Sequence, residues 1–145
     1  MAPFIVLVVI TALTRLIGYL TDLAWLDSWP RAIAIGLAAM FALTASAHFT
    51  EPRRTALIAM VPPRLPNPAA LVTLTGVLEL AGAAGLLIPA TAPVAAACLF
   101  TLLLTMFPAN IRAAHADLGI KSMPLPARTA LQALFLTACA TVVFG

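Results

Sequence analysis

The sequence predicts an all-α protein, a polytopic transmembrane helical bundle of about five spans. Three observations predict it: an apolar composition, apolar runs of membrane-crossing length, and basic residues gathered in alternate connections. Of the 145 residues, 63% are hydrophobic and 9% charged, whereas a water-soluble domain carries about a quarter charged residues. With a mean hydropathy of +1.08, the chain has too little polar surface to cover a water-facing globule. A lipid bilayer is the expected surrounding. The length allows one compact unit, a single transmembrane domain over residues 1–145.

A bilayer core takes about 20 helical residues. Runs at residues 4–22, 30–48, 68–87, 92–110 and 126–144 satisfy that requirement. The first has no basic leader, carries Arg15 inside the apolar run and lacks a small-residue cleavage site, so a retained helix is expected rather than a cleaved signal. Pro30, Pro68 and Pro126 stand where helices can begin, the position that tolerates proline best. None of the runs alternates with period two, which argues against barrel strands.

The connections differ. Residues 88–93 are short enough to make the third and fourth runs an antiparallel hairpin. The longer connection between the second and third runs holds Glu51, Arg53, Arg54, Arg64 and several prolines. Within it, Ala56, Leu57, Met60 and Val61 form an apolar face opposite Arg53 and Arg54. Such a segment suits either a short interfacial helix or a solvated loop with turns.

Alternate connections carry unequal charge. The N-terminus, Arg53, Arg54, Arg64, Arg112, Lys121 and Arg128 fall on one side; Arg31, with Asp22 and Asp27, falls on the other. Positive residues collect in cytoplasmic loops, so the N-terminus is expected inside and the C-terminus outside. Trp25 and Trp29 then meet the outer interface, where indole rings are favoured. The same distribution accounts for the net charge of +3 without a nucleic-acid partner.

Two ionisable residues lie within the runs, Arg15 in the first and Glu79 in the third. A lone charge at membrane depth is unfavourable by about 2.5–3.5 kcal/mol on insertion scales, so each requires a partner or a wet cavity. Both lie about 10 Å or a little more below the outer ends of their runs, at 1.5 Å per residue. Thr11, Arg15, Gly18 and Asp22 share one stripe, and Thr75, Gly76, Glu79, Gly82 and Ala83 share another. An intramembrane Arg15–Glu79 pair is therefore expected. It would fix packing, or serve ligand binding or proton handling; Arg15 reaching outward to the surface is a third outcome.

His48 ends the second run one turn after Thr44, and His115 follows Asn110 and Arg112. Intramembrane haem needs facing axial ligands, which a histidine outside any span does not supply, and no metal site is expected. Cys98 and Cys139 lie at similar depth, as two buried thiols or, alternatively, a disulfide. No phosphate-cradling glycine loop and no zinc-protease helix motif is present.

From about Arg31 onward the residues resemble the DoxX-like family of small bacterial membrane proteins. The likeness rests on His48, Phe49 and Pro52, on the VPPRLPNP loop at residues 61–68, on Gly76, Glu79, Leu80, Gly82, Gly85 and Pro89, and on FPANI at residues 107–111. The resemblance implies a four-helix core, to which the first helix is an addition. It places Glu79 and His48 on the family's glutamate and histidine positions, and it implies a bacterial inner (plasma) membrane.

The expected function is an accessory or redox-linked membrane component, with Glu79, His48, Arg15 and Asn110 as candidate ligand-binding groups. The resemblance implies a membrane oxidoreductase as partner and a lipophilic ligand such as a quinone. Two alternatives stand beside it. One is a membrane enzyme using Glu79 as acid or base on a lipophilic substrate. The other is a small transporter or assembly factor, for which glycine and alanine faces offer a route to a homo-oligomer. No catalytic residue is assigned.

Overall fold

The computed structural model describes residues 1–23, 25–115 and 123–145. Among these residues the chain forms α1 (Ala2–Leu20), α2 (Trp29–Ser46), α3 (Arg53–Met60), α4 (Pro68–Leu87), α5 (Ala92–His115) and α6 (Leu125–Phe144), with no strand. All but α3 are long and apolar enough to cross a membrane. The protein is an all-α helical bundle with the spans of a multi-pass membrane protein. Lys121, counted in the charge asymmetry, lies outside the described residues.

Proline opens α1, α2, α4 and α6 at their first or second position. There its missing N–H leaves no helical bond unmade. α2 stops at Ser46, two residues short of the expected end. α5 runs past the expected end at residue 110 to His115, carrying Pro108 within it. Proline inside a helix removes a backbone donor, and membrane helices tolerate this where neighbouring groups engage the backbone. One turn before Pro108, Gln132 of α6 donates from Nε2 to the Leu103 carbonyl at 2.7 Å. Of the two outcomes open for residues 53–60, the helix is the one realised.

α2 occupies the centre. It packs against α1, α4 and α6, while α5 bridges α4 and α6. Half of its apolar window is buried, against 17% for α1, α5 and α6. Leu37, Met40 and Phe41 of α2 meet Leu86, Leu99, Cys139 and Val142 in the core. Small residues let the backbones approach, as membrane helices require in the absence of a hydrophobic drive between them. A Cβ added at Gly36 of α2 would lie 2.9 Å from the Leu7 carbonyl of α1. The outer faces remain apolar: Ile5, Val8 and Leu16 of α1, Leu74, Val77 and Leu78 of α4, and Val94 and Leu104 of α5 are exposed. That girdle belongs against lipid.

At the end of the bundle opposite α3, Arg31 is buried among apolar groups. Its guanidinium donates to the Leu86 carbonyl at 3.4 Å and to the Leu87 carbonyl, the last carbonyls of α4, which have no helical partner of their own. The Trp25 ring covers it at 4.1 Å. Cys98 is exposed on α5 and Cys139 buried on α6, and both are free thiols.

Candidate functional site

The site lies where α2 gives out against the side of α4. N–H groups of Ala47, His48 and Phe49 bond back to Thr44, Ala45 and Ser46, tightening the last turn of α2 and swinging His48 toward α4. Gly76 makes room for it. A Cβ there would stand 2.6 Å from His48 Cβ and 3.0 Å from the Phe49 ring, so only glycine allows this approach without displacement. Arg54 secures the turn from α3, with Nη1 2.5 Å from the His48 carbonyl and Nη2 3.0 Å from Thr73 Oγ1.

Glu79 and His48 are 5% and 3% exposed. Glu79 Oε2 accepts from the Thr44 hydroxyl at 2.7 Å, and Oε1 stands 3.4 Å from His48 Nε2. The latter separation is ion-pair distance, long for a hydrogen bond. His48 Nδ1 is 2.8 Å from the Val72 carbonyl. A carbonyl oxygen only accepts, so Nδ1 carries hydrogen. Nε2 is then the ring nitrogen turned toward Oε1: a proton held on it makes an ion pair with the carboxylate, and a proton held on the carboxyl leaves two neutral groups. Among the described residues, His48 is the only ionisable group within ion-pair distance of Glu79.

Both groups line a cavity of about 440 Å³. Met40, Phe41, Leu103, Met106 and Phe135 supply apolar wall, and Thr44, Asn110, Gln132 and Arg53 bring polar atoms to it. A mostly apolar hollow with a few convergent polar groups is the form a small-molecule site takes. Asn110 is held from α6, its Oδ1 3.2 Å from Arg128 Nη1. Among the described residues no group of three or more His, Cys, Asp and Glu is placed to hold a metal ion.

Of the expected site residues, Glu79, His48 and Asn110 come together around this cavity. Arg15 does not. The expected Arg15–Glu79 pair is corrected: Arg15 Nη1 binds Asp27 Oδ1 at 2.5 Å and lies 5.0 Å from the Trp29 ring centroid. The physical reason is helix order. α1 and α4 each pack on α2 and make no substantial contact with each other, so a shared depth does not bring their side chains together. Asp27, in the connection after α1, supplies the counter-charge. Gln132 was not among the expected residues. An amide within the apolar run LQALF is the signal that marks it, since a polar side chain at membrane depth also needs a partner.

Residues 37–143 match the family described as a domain of unknown function (DUF8561). No curated protein and no solved structure matches the chain.

Proposed function

The chain belongs to the DUF8561 family, and from that premise we propose that it is an accessory, redox-linked membrane component that binds a lipophilic molecule such as a quinone beside Glu79 and His48. The resemblance to the DoxX-like family at those two positions supports the reading. The observation that carries it is the juxtaposition of the Glu79–His48 pair with an apolar cavity of about 440 Å³. A quinone offers what such a wall takes: carbonyl oxygens to accept from a polar group, on a ring that prefers apolar surroundings. The long Nε2–Oε1 separation leaves a proton held on either group able to turn toward a ligand oxygen. Electrons for any reduction come from a membrane oxidoreductase partner; this chain holds the ring and the proton.

The protein sits in this reading in a bacterial inner membrane with its N-terminus inside. Arg53, Arg54 and Arg64 crowd the α3 end, whereas Asp22 and Asp27 accompany Arg15 and Arg31 at the other, which fits the positive-inside rule. A periplasm-dependent reporter fused after Gly145 is expected to be active.

The direct test is protein reconstituted in lipid discs with ubiquinone or menaquinone, re-isolated, extracted and chromatographed. Quinone is expected to remain with the wild type and to be lost from Leu43→Trp, which fills the cavity wall, and reduced in Glu79→Gln. Retention unaffected by both substitutions removes the reading. The same cavity also suits an enzyme with Glu79 as acid or base; conversion of a lipophilic substrate by the isolated protein would favour that reading.

A further inference from the structure

We propose that the α3 end of the bundle carries a site for the headgroup of an anionic phospholipid, formed by Arg53 and Arg128 over an apolar shelf on α3. A second cavity, of about 400 Å³, opens between α3 and the facing ends of α5 and α6. Ala56, Leu57 and Met60 of α3 give it an apolar floor, and Arg53, Arg128 and Asn110 give it its polar rim. Among the described residues no carboxylate lines it. Glu51, next to Pro52 of its lining, is engaged elsewhere, its Oε2 accepting from the Thr55 N–H at 3.1 Å and the Thr55 hydroxyl at 2.7 Å.

The two cations differ in readiness. Arg128 is fixed in place, donating from Nε to the Met123 carbonyl at 3.0 Å and from Nη1 to Asn110. Arg53 is exposed and makes no hydrogen bond or ion pair among the described residues. A guanidinium without a counter-charge, beside a second one and above apolar side chains, is complementary to a phosphate that brings an acyl chain with it. Both halves of that ligand are used: the phosphate by the guanidiniums, the upper acyl chain by Leu57 and Met60. α3 lies at the end of the spans, where headgroups are found. Free phosphate would use only the rim. This site does not depend on what occupies the cavity at Glu79, although the two hollows share Ala47, Arg53, Leu57 and Asn110.

The experiment is native mass spectrometry of the full chain in detergent, with phosphatidylglycerol or phosphatidylcholine of identical acyl chains added. Phosphatidylglycerol is expected to be retained in preference. Arg53→Gln should reduce that retention about fivefold, the change a single arginine's attraction to an anionic headgroup corresponds to, while Arg53→Lys keeps most of it. Arg64→Gln, an exposed arginine outside the hollow, should change nothing. Leu57→Asp, which spoils the shelf and adds repulsion, should abolish the preference. Equal retention of both lipids overturns the proposal. So does an equal loss from Arg64→Gln, which would assign the effect to general surface charge, or inorganic phosphate competing as well as the lipid, which would leave the shelf without a part.

Discussion

The Thr44 hydroxyl lies 2.7 Å from Glu79 Oε2, and through it the central helix holds the carboxyl of its neighbour against the cavity. The same hydroxyl is 3.1 Å from the Phe41 carbonyl, so its single hydrogen is divided between its own helix and α4. Thr44→Val keeps the shape and removes the donor. Interhelical hydrogen bonds in membrane proteins contribute about 0.6 kcal/mol on average and about 1.7 at most. Because Glu79 is buried and loses an acceptor's partner, a loss of about 1 kcal/mol is expected in detergent unfolding, with Thr44→Ser close to wild type. A Thr44→Val protein as stable as the parent would show that the bond adds nothing net.

Gly76 governs the approach of His48 to α4. Its substitution by alanine would bring a methyl to 2.6 Å from His48 Cβ, an atom tied to the backbone and unable to swing aside. Overpacking of this kind costs about 1–3 kcal/mol. Gly76→Ala is therefore expected to lower the unfolding midpoint and to move the His48 ring away from Glu79. A histidine imidazole NMR signal unchanged from wild type would contradict this.

Arg31 and Arg15 make a contrasting pair. Arg31 is buried and donates to the last carbonyls of α4. Its loss as Arg31→Ala leaves those acceptors orphaned at about 1–3 kcal/mol for an unsatisfied buried group. Arg15 faces Asp27 with both side chains substantially exposed, and exposed pairs contribute about 1 kcal/mol or less. The folded fraction recovered in detergent should fall clearly for Arg31→Ala and little for Arg15→Ala. A larger loss from Arg15→Ala would reverse the assignment.

These two arginines show what was legible in the sequence and what was not. An apolar run declares its own length, so the five spans and their proline starts are written in each segment separately. Which helices become neighbours is not. Arg15 and Glu79 match in depth and in face, yet α2 stands between their helices. Arg31, one residue past Pro30, reads as a loop charge because its acceptors belong to a helix far away in the chain. Glu79 was legible because a carboxyl inside an apolar run demands a partner, and His48 through Thr44 one turn before it and the DoxX-like resemblance. That His48 is the partner was not legible, because the sequence points to Arg15. Gln132 was not, since an uncharged amide interrupts an apolar run less sharply than a charge does. The cavity itself follows from the early stop of α2 at Ser46, a feature that no single run encodes.

The Glu79–His48 contact makes the most specific prediction about the site. Since Val72 accepts from Nδ1, the neutral form of His48 must be the Nδ1–H tautomer, and Nε2 must respond to the protonation state of Glu79. In ¹⁵N spectra of imidazole-labelled protein, Nδ1 is expected to stay protonated across the titration, and Nε2 is expected to shift in Glu79→Gln. A mutant cycle measures the same link energetically. Glu79→Ala and His48→Ala each remove the contact, so the double mutant should lose less than the sum of the singles by about 1 kcal/mol, within the range for side chains in direct contact. The His48–Val72 bond is lost in both backgrounds and cancels. Strict additivity would mean that the 3.4 Å separation is proximity without interaction, and an Nε2–H tautomer would mean that Val72 does not orient the ring. Either result would leave Glu79 facing the cavity without the partner on which its proton chemistry relies.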